Sequence, residues 1–419
     1  MVVPPGSPAP TPTPTSTRRV WRSLPAGVWA MGFASLCMDT SSELIHSLLP
    51  LFMVTTLGAS MVTVGLVEGL AEAVASVMKV FSGSLSDRLG NRKLLMVAGY
   101  GLAALTKPVF PLASSMPWIL TARVVDRLGK GIRGAPRDAL VADLTPPSLR
   151  GAAYGLRQAL DSVGAIAGPL LAVGLMIWWT NDVRAVLWVA TIPAGLAVVV
   201  LVLRVREPGR GIPLDRVARP SLVAGARRLP GRFWLVALLG AVMTLARFSE
   251  AFLVLRAQDV GLPVGQVPWV MVVMNVFYAG SAYPLGAAAD RVPPRRMLLA
   301  GMVLLMAADG VLALAVSPLP AFAGAALWGL HLGFTQGLLS KLVAEAAPAR
   351  ALGTAFGVFH LVTGGAVLLA SVLAGGLWAR LGPAATFFAG AGIAAVAAIG
   401  LLVAGGWWRC HPRHESRIG

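Results

Sequence analysis

Between Leu120 and Ala139 the chain carries Arg123, Asp126, Arg127, Lys130, Arg133, Arg137 and Asp138, with long apolar segments on either side. Wound as an α-helix at about 100° per residue, these charges fall within an arc of about 140°. Val124, Val125, Leu128, Ile132, Ala135 and Ala139 take the other side. In a bilayer each charge facing lipid would cost about 2.5–3.5 kcal/mol on insertion scales, so the charged face must look into protein or a water-filled cavity. Acids elsewhere can meet it. Asp39, Glu43 and His46 share one helical face, Glu68, Glu72 and Lys79 share another, and Asp161 stands beside Arg157 and Gln158. Carboxylates four residues apart repel, so each pair needs a proton or an intervening cation. Two chemistries follow: proton carriage, or one end of an ion-pair network. The cations in this half of the apolar sequence are Lys79, Lys107, Arg123, Arg127, Lys130, Arg133, Arg137 and Arg157, and the acids are Asp39, Glu43, Glu68, Glu72, Asp126, Asp138 and Asp161. That near balance favours mostly paired charges, with an anion site on the basic stripe as the alternative.

The elements that hold these residues are read from composition. Of 419 residues, 56% are hydrophobic and only 13% charged, against about a quarter charged in soluble domains. The apolar residues fall in blocks of membrane-spanning length, about 20 residues each. Spans are expected near 27–50, 62–84, 94–114, 118–141, 153–178, 185–204, 233–256, 266–288, 297–316, 321–344, 354–378 and 384–407. The predicted fold is an all-α polytopic membrane protein of twelve transmembrane helices in two pseudo-symmetric six-helix halves. Residues 1–22 are read as a disordered cytoplasmic tail, 23–204 as the first half, 205–231 as a basic cytoplasmic linker, 232–408 as the second half and 409–419 as a second cytoplasmic tail. The net charge of +17 is accounted for by basic loops on one side, which puts both termini in the cytoplasm and leaves no call for nucleic acid. Cys37 and Cys410 are too few for a disulfide scaffold or a cysteine metal cluster, and no cleavable signal peptide is visible.

The two halves are repeats. Gly83 to Lys93 reads GSLSDRLGNRK, and Gly286 to Arg296, offset by 203 residues, reads GAAADRVPPRR. Gly151, Tyr154 and Gly155 recur as Gly353, Phe356 and Gly357 at an offset of 202. Two echoes in the same order at nearly the same spacing mark a duplicated unit. The stretch built on Gly83, Asp87, Arg88, Gly90, Arg92 and Lys93, with its weaker copy at Gly286, Asp290 and Arg291, resembles the signature loop of the major facilitator superfamily of secondary transporters. The resemblance covers the chain from about Trp21 to Trp408. It implies that the loop latches the halves on the cytoplasmic side, that helices one, four, seven and ten line a cavity, and that the halves rock about it. Arg123, with Asp126 and Gly129 after it, is similar to the family's fourth-helix pattern, in which the Arg is implicated in proton coupling; Arg127 stands where the family has Gly. Gly164, Gly168 and Pro169 resemble the helix-five motif associated with antiporters, without its trailing glycines.

The second half is quieter. Arg247 and Glu250 mark helix seven, Asp309 helix nine, His331 and Gln336 helix ten, and His360 helix eleven, at the repeat position of Gln158. Gly333 and Gly337 answer Gly131 and Gly134, so helices four and ten are read as carrying glycine interruptions that point to the substrate site. Several strings are set aside. Gly129-x-Gly131-x-x-Gly134 matches a dinucleotide fingerprint but follows no strand, and helix packing is the better account. Ser76-x-x-Lys79 lacks the partner motifs of β-lactamases. No phosphate-binding loop is present. The expectation is therefore a proton-coupled exporter of a drug- or metabolite-like solute, with Asp39, Glu43, Glu68, Glu72, Arg123, Asp126 and Asp161 as proton-coupling candidates. Arg127, Lys130, Arg133, Arg137, Gln158, Arg247, Glu250, His331, Gln336 and His360 are the cavity candidates. The alternatives are an organic-anion transporter using the basic stripe, a metal-ion transporter drawing on His46, His331 and His360 with Asp39 or Glu43, and a non-transporting membrane sensor. No enzymatic activity, cofactor or resident metal is expected. The partners are the lipid bilayer, a small-molecule substrate and protons, for a monomer in the plasma (inner) membrane.

Overall fold

The computed structural model describes residues 23–89, 91–146, 149–207, 225–288, 291–348 and 351–403. Among them the chain forms twelve helical spans and no strand. They are α1 (Ala26–Leu51), α2 (Met61–Leu89), α3 (Arg92–Leu112), α4 (Met116–Leu144), α5 (Arg150–Trp178) and α6 (Val183–Arg204), then α7 (Gly231–Asp259), α8 (Trp269–Ala288), α9 (Pro294–Leu314), α10 (Pro318–Ala346), α11 (Leu352–Leu381) and α12 (Pro383–Val403). A membrane core offers no water to backbone groups, so helices that bond internally are the economical way to cross it. Eight of the twelve are long and apolar enough to do so on composition alone. Those outside that set are α1, α4, α8 and α10, and in α4 the reason is its row of charges.

Helix starts follow local chemistry. The Asn91 side chain accepts from the Leu94 amide at 2.9 Å and caps α3. Glu207, beyond α6, accepts from the Arg92 and Lys93 amides at 3.1 and 2.7 Å. Two otherwise unmatched donors at a helix N-terminus thus meet a negative charge, the favourable end of the macrodipole. Helices α4 and α10 begin alike, each after an extended serine (Ser115, Ser317) with proline in the first turn. Gly382, at φ 87°, closes α11 in the left-handed region, and Pro383 starts α12.

The duplication read from sequence is visible in the packing. In the first half α1 packs on α5 and α6, α4 on α2 and α3, and α3 on α6; in the second, α7 packs on α11 and α12, α10 on α8 and α9, and α9 on α12. Every pairing recurs six helices later. The halves then meet through two equivalent seams, α2 with α11 and α5 with α8. The α2–α11 seam is built on small residues that let backbones close up. A methyl carbon added to Gly65 would lie 2.1 Å from the Ser371 carbonyl oxygen, and one on Gly375 would lie 2.4 Å from that of Met61.

The structure corrects three details. The interruptions read into α4 and α10 are absent: both run unbroken, Met116–Leu144 and Pro318–Ala346. Gly131 and Gly333 are there for close packing, since a methyl carbon would fall 2.4 Å from Met78 Cβ and 2.2 Å from Ser281 Oγ. The discontinuous helix is α7, which stops at Ala246 and restarts at Ala251. The third span is not uniform either. Its helix ends at Thr106 and resumes as a single turn, Val109–Leu112, because Pro108 has no amide to continue the ladder.

Candidate functional site

The charges of α4 turn inward and meet acids from α1, α2 and α5. Arg123 Nη2 donates to Glu68 Oε2 at 2.6 Å, with both side chains buried. His46 Nε2 is 3.7 Å from the same Glu68 oxygen, and its Nδ1 is 3.4 Å from Glu43 Oε2. Glu43, His46, Glu68 and Arg123 therefore form one continuous chain from α1 through α2 to α4. Beside it, Lys107 Nζ donates to Asp126 Oδ1 at 2.8 Å and to Ser42 Oγ at 3.0 Å. Arg127 Nε lies 3.3 Å from Glu72 Oε1.

A second group sits nearer the end of the bundle where α4 and α2 terminate. Arg133 Nη2 is 3.6 Å from Asp39 Oδ1, and its guanidinium lies over the Tyr100 ring, 4.5 Å from the centroid. Arg137 and Arg157 share Asp138 and Asp161, at 3.5 and 3.6 Å for Arg137 and 3.1 and 3.5 Å for Arg157. Arg137 also donates to Ser35 Oγ, whose partner is Tyr100 Oη at 3.1 Å. All seven acids counted from the sequence have a basic partner, and six of the eight cations do; Lys79 and Lys130 make no ion pair among the described residues. The paired-network reading is thus the geometry observed, with two cations left over.

Both lie on the wall of a cavity of about 270 Å³ between the halves. The first half lines it with Asp39, Glu43, Lys79, Lys130, Arg133, Gly134, Arg137, Gln158 and Asp161, and the second half with Asn275, Tyr278 and Ala279. One end of the molecule is closed above it. The close approaches of α2 to α11 run from Met61–Gly375 to Ser76–Gly364, and Phe252 of α7 stacks on Trp378, with ring centroids 5.7 Å apart. Asn275 Nδ2 donates to the Ala165 carbonyl at 3.0 Å across the α5–α8 seam. The cavity begins below these contacts, toward the end that carries the 2–3 and 8–9 loops. An apolar groove of about 550 Å³ between α3 and α4, lined by Leu105, Val109, Trp118 and Val125 among others, opens elsewhere and carries no charge.

The remaining expected residues divide. Arg127 is buried against Glu72 rather than on the cavity wall. Arg247 and Glu250 bracket the α7 break. Gln336 meets Tyr278 Oη at 3.4 Å. His331 faces away, into α9, with Nδ1 2.8 Å from the Gly301 carbonyl, and His360 packs between Phe356 and Phe359. Among the described residues no three His, Cys, Asp or Glu side chains gather as a metal site. Gly164 and Gly168 bring α5 onto α1: a methyl carbon would lie 2.8 Å from the Leu36 carbonyl oxygen and 2.6 Å from that of Thr40. Pro169 sits inside α5. In the signature loop, Gly90, Asp290 and the side chains of Asp87 and Arg88 lie outside the described residues, while Gly83 and Gly286 fall on the helical backbone of α2 and α8. Arg92 pairs with Asp143 of α4, Lys93 Nζ donates to the Val202 carbonyl at 3.0 Å, and Arg291 extends past α8. Sequence reasoning passed over Asn275 and Tyr278, polar side chains on an apolar span that a search for intramembrane polar residues would have flagged.

This arrangement of helices recurs in known proteins. The Major Facilitator Superfamily profile matches residues 31–255 and 238–418. An uncharacterized MFS-type transporter of Methanocaldococcus jannaschii is 29% identical over 387 residues, spanning 91% of this chain and 95% of that protein. The multidrug resistance protein MdtH of Proteus mirabilis is 28% identical over 269 residues, spanning 62% of this chain and 64% of its own. The crystal structure of a point mutant of the nucleoside transporter NupG superposes with a TM-score of 0.78 at 10% identity, covering 90% of this chain and 99% of that one, a likeness of fold. With its profile matched along almost the whole chain and the twelve helices paired as two repeats, the protein belongs to the Major Facilitator Superfamily of membrane transporters.

Proposed function

We propose that the protein exports a small organic solute in exchange for protons, by rocking its two halves about the central cavity. The observation that carries this reading is the chain Glu43–His46–Glu68–Arg123. Glu43 lines the cavity, and the steps inward are 3.4 Å to His46, 3.7 Å to Glu68 and 2.6 Å to Arg123. Carboxylate, imidazole, carboxylate is the composition of an intramembrane proton relay. A proton reaching Glu68 removes the charge that holds Arg123, so proton arrival and the α2–α4 contact are one event. That linkage is what a coupled transporter requires, because an ion drives a conformational change only by binding the two states differently. Export is supported by the relatives named multidrug resistance protein MdtH and by the helix-five motif at Gly164, Gly168 and Pro169. With the basic loops inside, the cavity opens to the cytoplasm of a plasma (inner) membrane protein acting as a monomer.

The test is flux in proteoliposomes with an imposed pH gradient, using tetraphenylphosphonium and an aromatic carboxylate as probes. Gradient-driven accumulation should vanish in Glu43→Gln and His46→Gln, while gradient-free exchange of the same probe persists. Undiminished proton-driven flux in both variants would end this reading.

A second reading rests on Lys79 and Lys130, the cavity cations with no ion-pair partner among the described residues. Lys130 shares the cavity wall with Asp39 and Glu43 and forms no ion pair with either. A substrate carboxylate or phosphate would complete its coordination, which makes an organic anion the favoured solute class if only anions protect the protein thermally.

A further inference from the structure

The offset of 202 residues that carries Tyr154 onto Phe356 also carries Lys79 onto Ser281 and Lys130 onto Leu332. The two halves use these places differently. In the second half α8 meets α10 where a methyl carbon on Gly333 would lie 2.2 Å from Ser281 Oγ. Ser281 donates back to the Tyr278 carbonyl at 3.1 Å, and Leu332 is buried. In the first half α2 meets α4 where a methyl carbon on Gly131 would lie 2.4 Å from Met78 Cβ. Lys79 follows Met78 and Lys130 precedes Gly131, so both lysine stems spring from this one contact, and both stand on the cavity wall. The equivalent crossing closes with a serine and a leucine, so packing does not call for a cation here. Two ammonium groups side by side within a membrane protein are costly, and neither makes an ion pair among the described residues.

The rest of the wall says what would match them. Its acids are already engaged: Asp39 with Arg133 at 3.6 Å, Asp161 with Arg137 and Arg157 at 3.6 and 3.5 Å, and Glu43 with His46 at 3.4 Å. Two positive charges are left. The second half adds no charge to the lining, only Asn275, Tyr278 and Ala279. The Tyr278 hydroxyl, 3.4 Å from Gln336 Oε1, faces the lysines across the cavity as a hydrogen-bonding group of the other half. Apart from the Tyr278 ring, the wall holds no apolar side chain larger than alanine. Pockets for drug-sized ligands are lined mainly by apolar and aromatic side chains and enclose about 300–1,000 Å³. This one is polar almost throughout and encloses about 270 Å³.

We infer that the solute of this cavity is a compact hydrophilic dianion, a dicarboxylate or a phosphate monoester, held by Lys79 and Lys130 together and by the Tyr278 hydroxyl across the halves. This deepens the anion reading of the same cavity and rests on it. Each ammonium offers three donors on a flexible stem, which suits a carboxylate or a phosphate equally. A dianion matches both charges, whereas a monoanion leaves one unmatched. An aromatic or alkyl body would displace water from Arg133, Arg137 and Asp161 without replacing the hydrogen bonds it took away. The lysines belong to the first half and Tyr278 to the second, so a solute gripped by both bridges the parts that move, and its binding bears on their equilibrium.

The experiment is thermal unfolding of the purified full-length protein at neutral pH and constant ionic strength, titrated with succinate, glycerol phosphate, benzoate or tetraphenylphosphonium. Succinate or glycerol phosphate should raise Tm at a concentration at least tenfold below the one benzoate needs, and whichever acts at the lower concentration identifies the acidic group. Lys79→Gln and Lys130→Gln should each weaken that protection at least tenfold and bring the dianion level with benzoate. Lys130→Arg, which keeps the charge, should retain most of it, and Tyr278→Phe should weaken it several-fold. Should a glutamine variant fail to fold, the ranking of the four probes on the native protein and on Tyr278→Phe still decides. Benzoate protecting as well as either dianion overturns the inference and leaves the anion reading standing. Protection by no anion removes both. Dianion protection of equal size in the native protein and both glutamine variants puts the anion elsewhere and overturns the inference.

Discussion

Arg123 Nη2 sits 2.6 Å from Glu68 Oε2 with each side chain 1% exposed, and His46 reaches the same oxygen from the other side at 3.7 Å. One carboxylate is thus shared between a group that always carries charge and a group that can give its charge up. Removing either partner of a buried pair strands the other, at a cost of about 3–5 kcal/mol. Arg123→Gln and Glu68→Gln should each lower the melting temperature sharply. The double variant should recover part of the loss, because no uncompensated charge remains. Thermal unfolding in detergent reads all three, and additive losses would mean that the two residues do not act as a pair.

Lys79 and Lys130 should behave in the opposite way. Neither makes an ion pair among the described residues, so Lys79→Gln and Lys130→Gln should change stability by about 0.5 kcal/mol or less. Any thermal protection by organic anions should fall at least tenfold in apparent affinity in the double variant. A titration of an aromatic dicarboxylate against Tm separates the two effects.

The seam between the halves gives a conformational prediction. A side chain at position 65 collides with the Ser371 carbonyl, 2.1 Å from where its Cβ would stand, and backbone cannot yield there as a flexible side chain can. Gly65→Val should open this end of the molecule and shift the population toward the alternate state. Spin labels at positions 60 and 379, exposed at the same end of the two helices, should move apart in the variant. An unchanged distance distribution would show that the seam absorbs the clash locally.

Glu207 offers a test of the anchor at the start of α3. Its carboxylate accepts from the Arg92 and Lys93 amides, so Glu207→Ala should cost about 0.5–2 kcal/mol, the range of a lost N-terminal cap. Glu207→Gln, which keeps an acceptor, should lose less. Denaturation monitored by tryptophan fluorescence gives the comparison.

The amphipathic reading of the fourth span was legible because it depends only on residue spacing: seven charges on one helical face have one physical solution in a membrane. The repeat was legible for the same reason, since Gly83 to Lys93 and Gly286 to Arg296 are strings compared with strings. Which acid would take which cation was not. Lys107, on the third span, reaches Asp126, and Arg157 of α5 reaches Asp138 of α4, through rotations and separations of helices that in-helix spacing does not encode. The break in α7 was hidden too, because Arg247 to Glu250 contains neither Gly nor Pro, and it is stabilised from outside by Ser371 of α11, whose Oγ accepts from the Ser249 amide at 3.2 Å.

By itself, then, the sequence determined the class of the protein, its twelve crossings, its internal duplication and the face on which charge must be buried, since each follows from the aversion of charged groups and backbone for lipid. The tertiary structure decided the partners, the break in α7 and the two lysines on the cavity wall that make no ion pair among the described residues. Those depend on distances of a few ångströms between helices far apart in the chain, and Coulomb interactions at low dielectric turn on such distances.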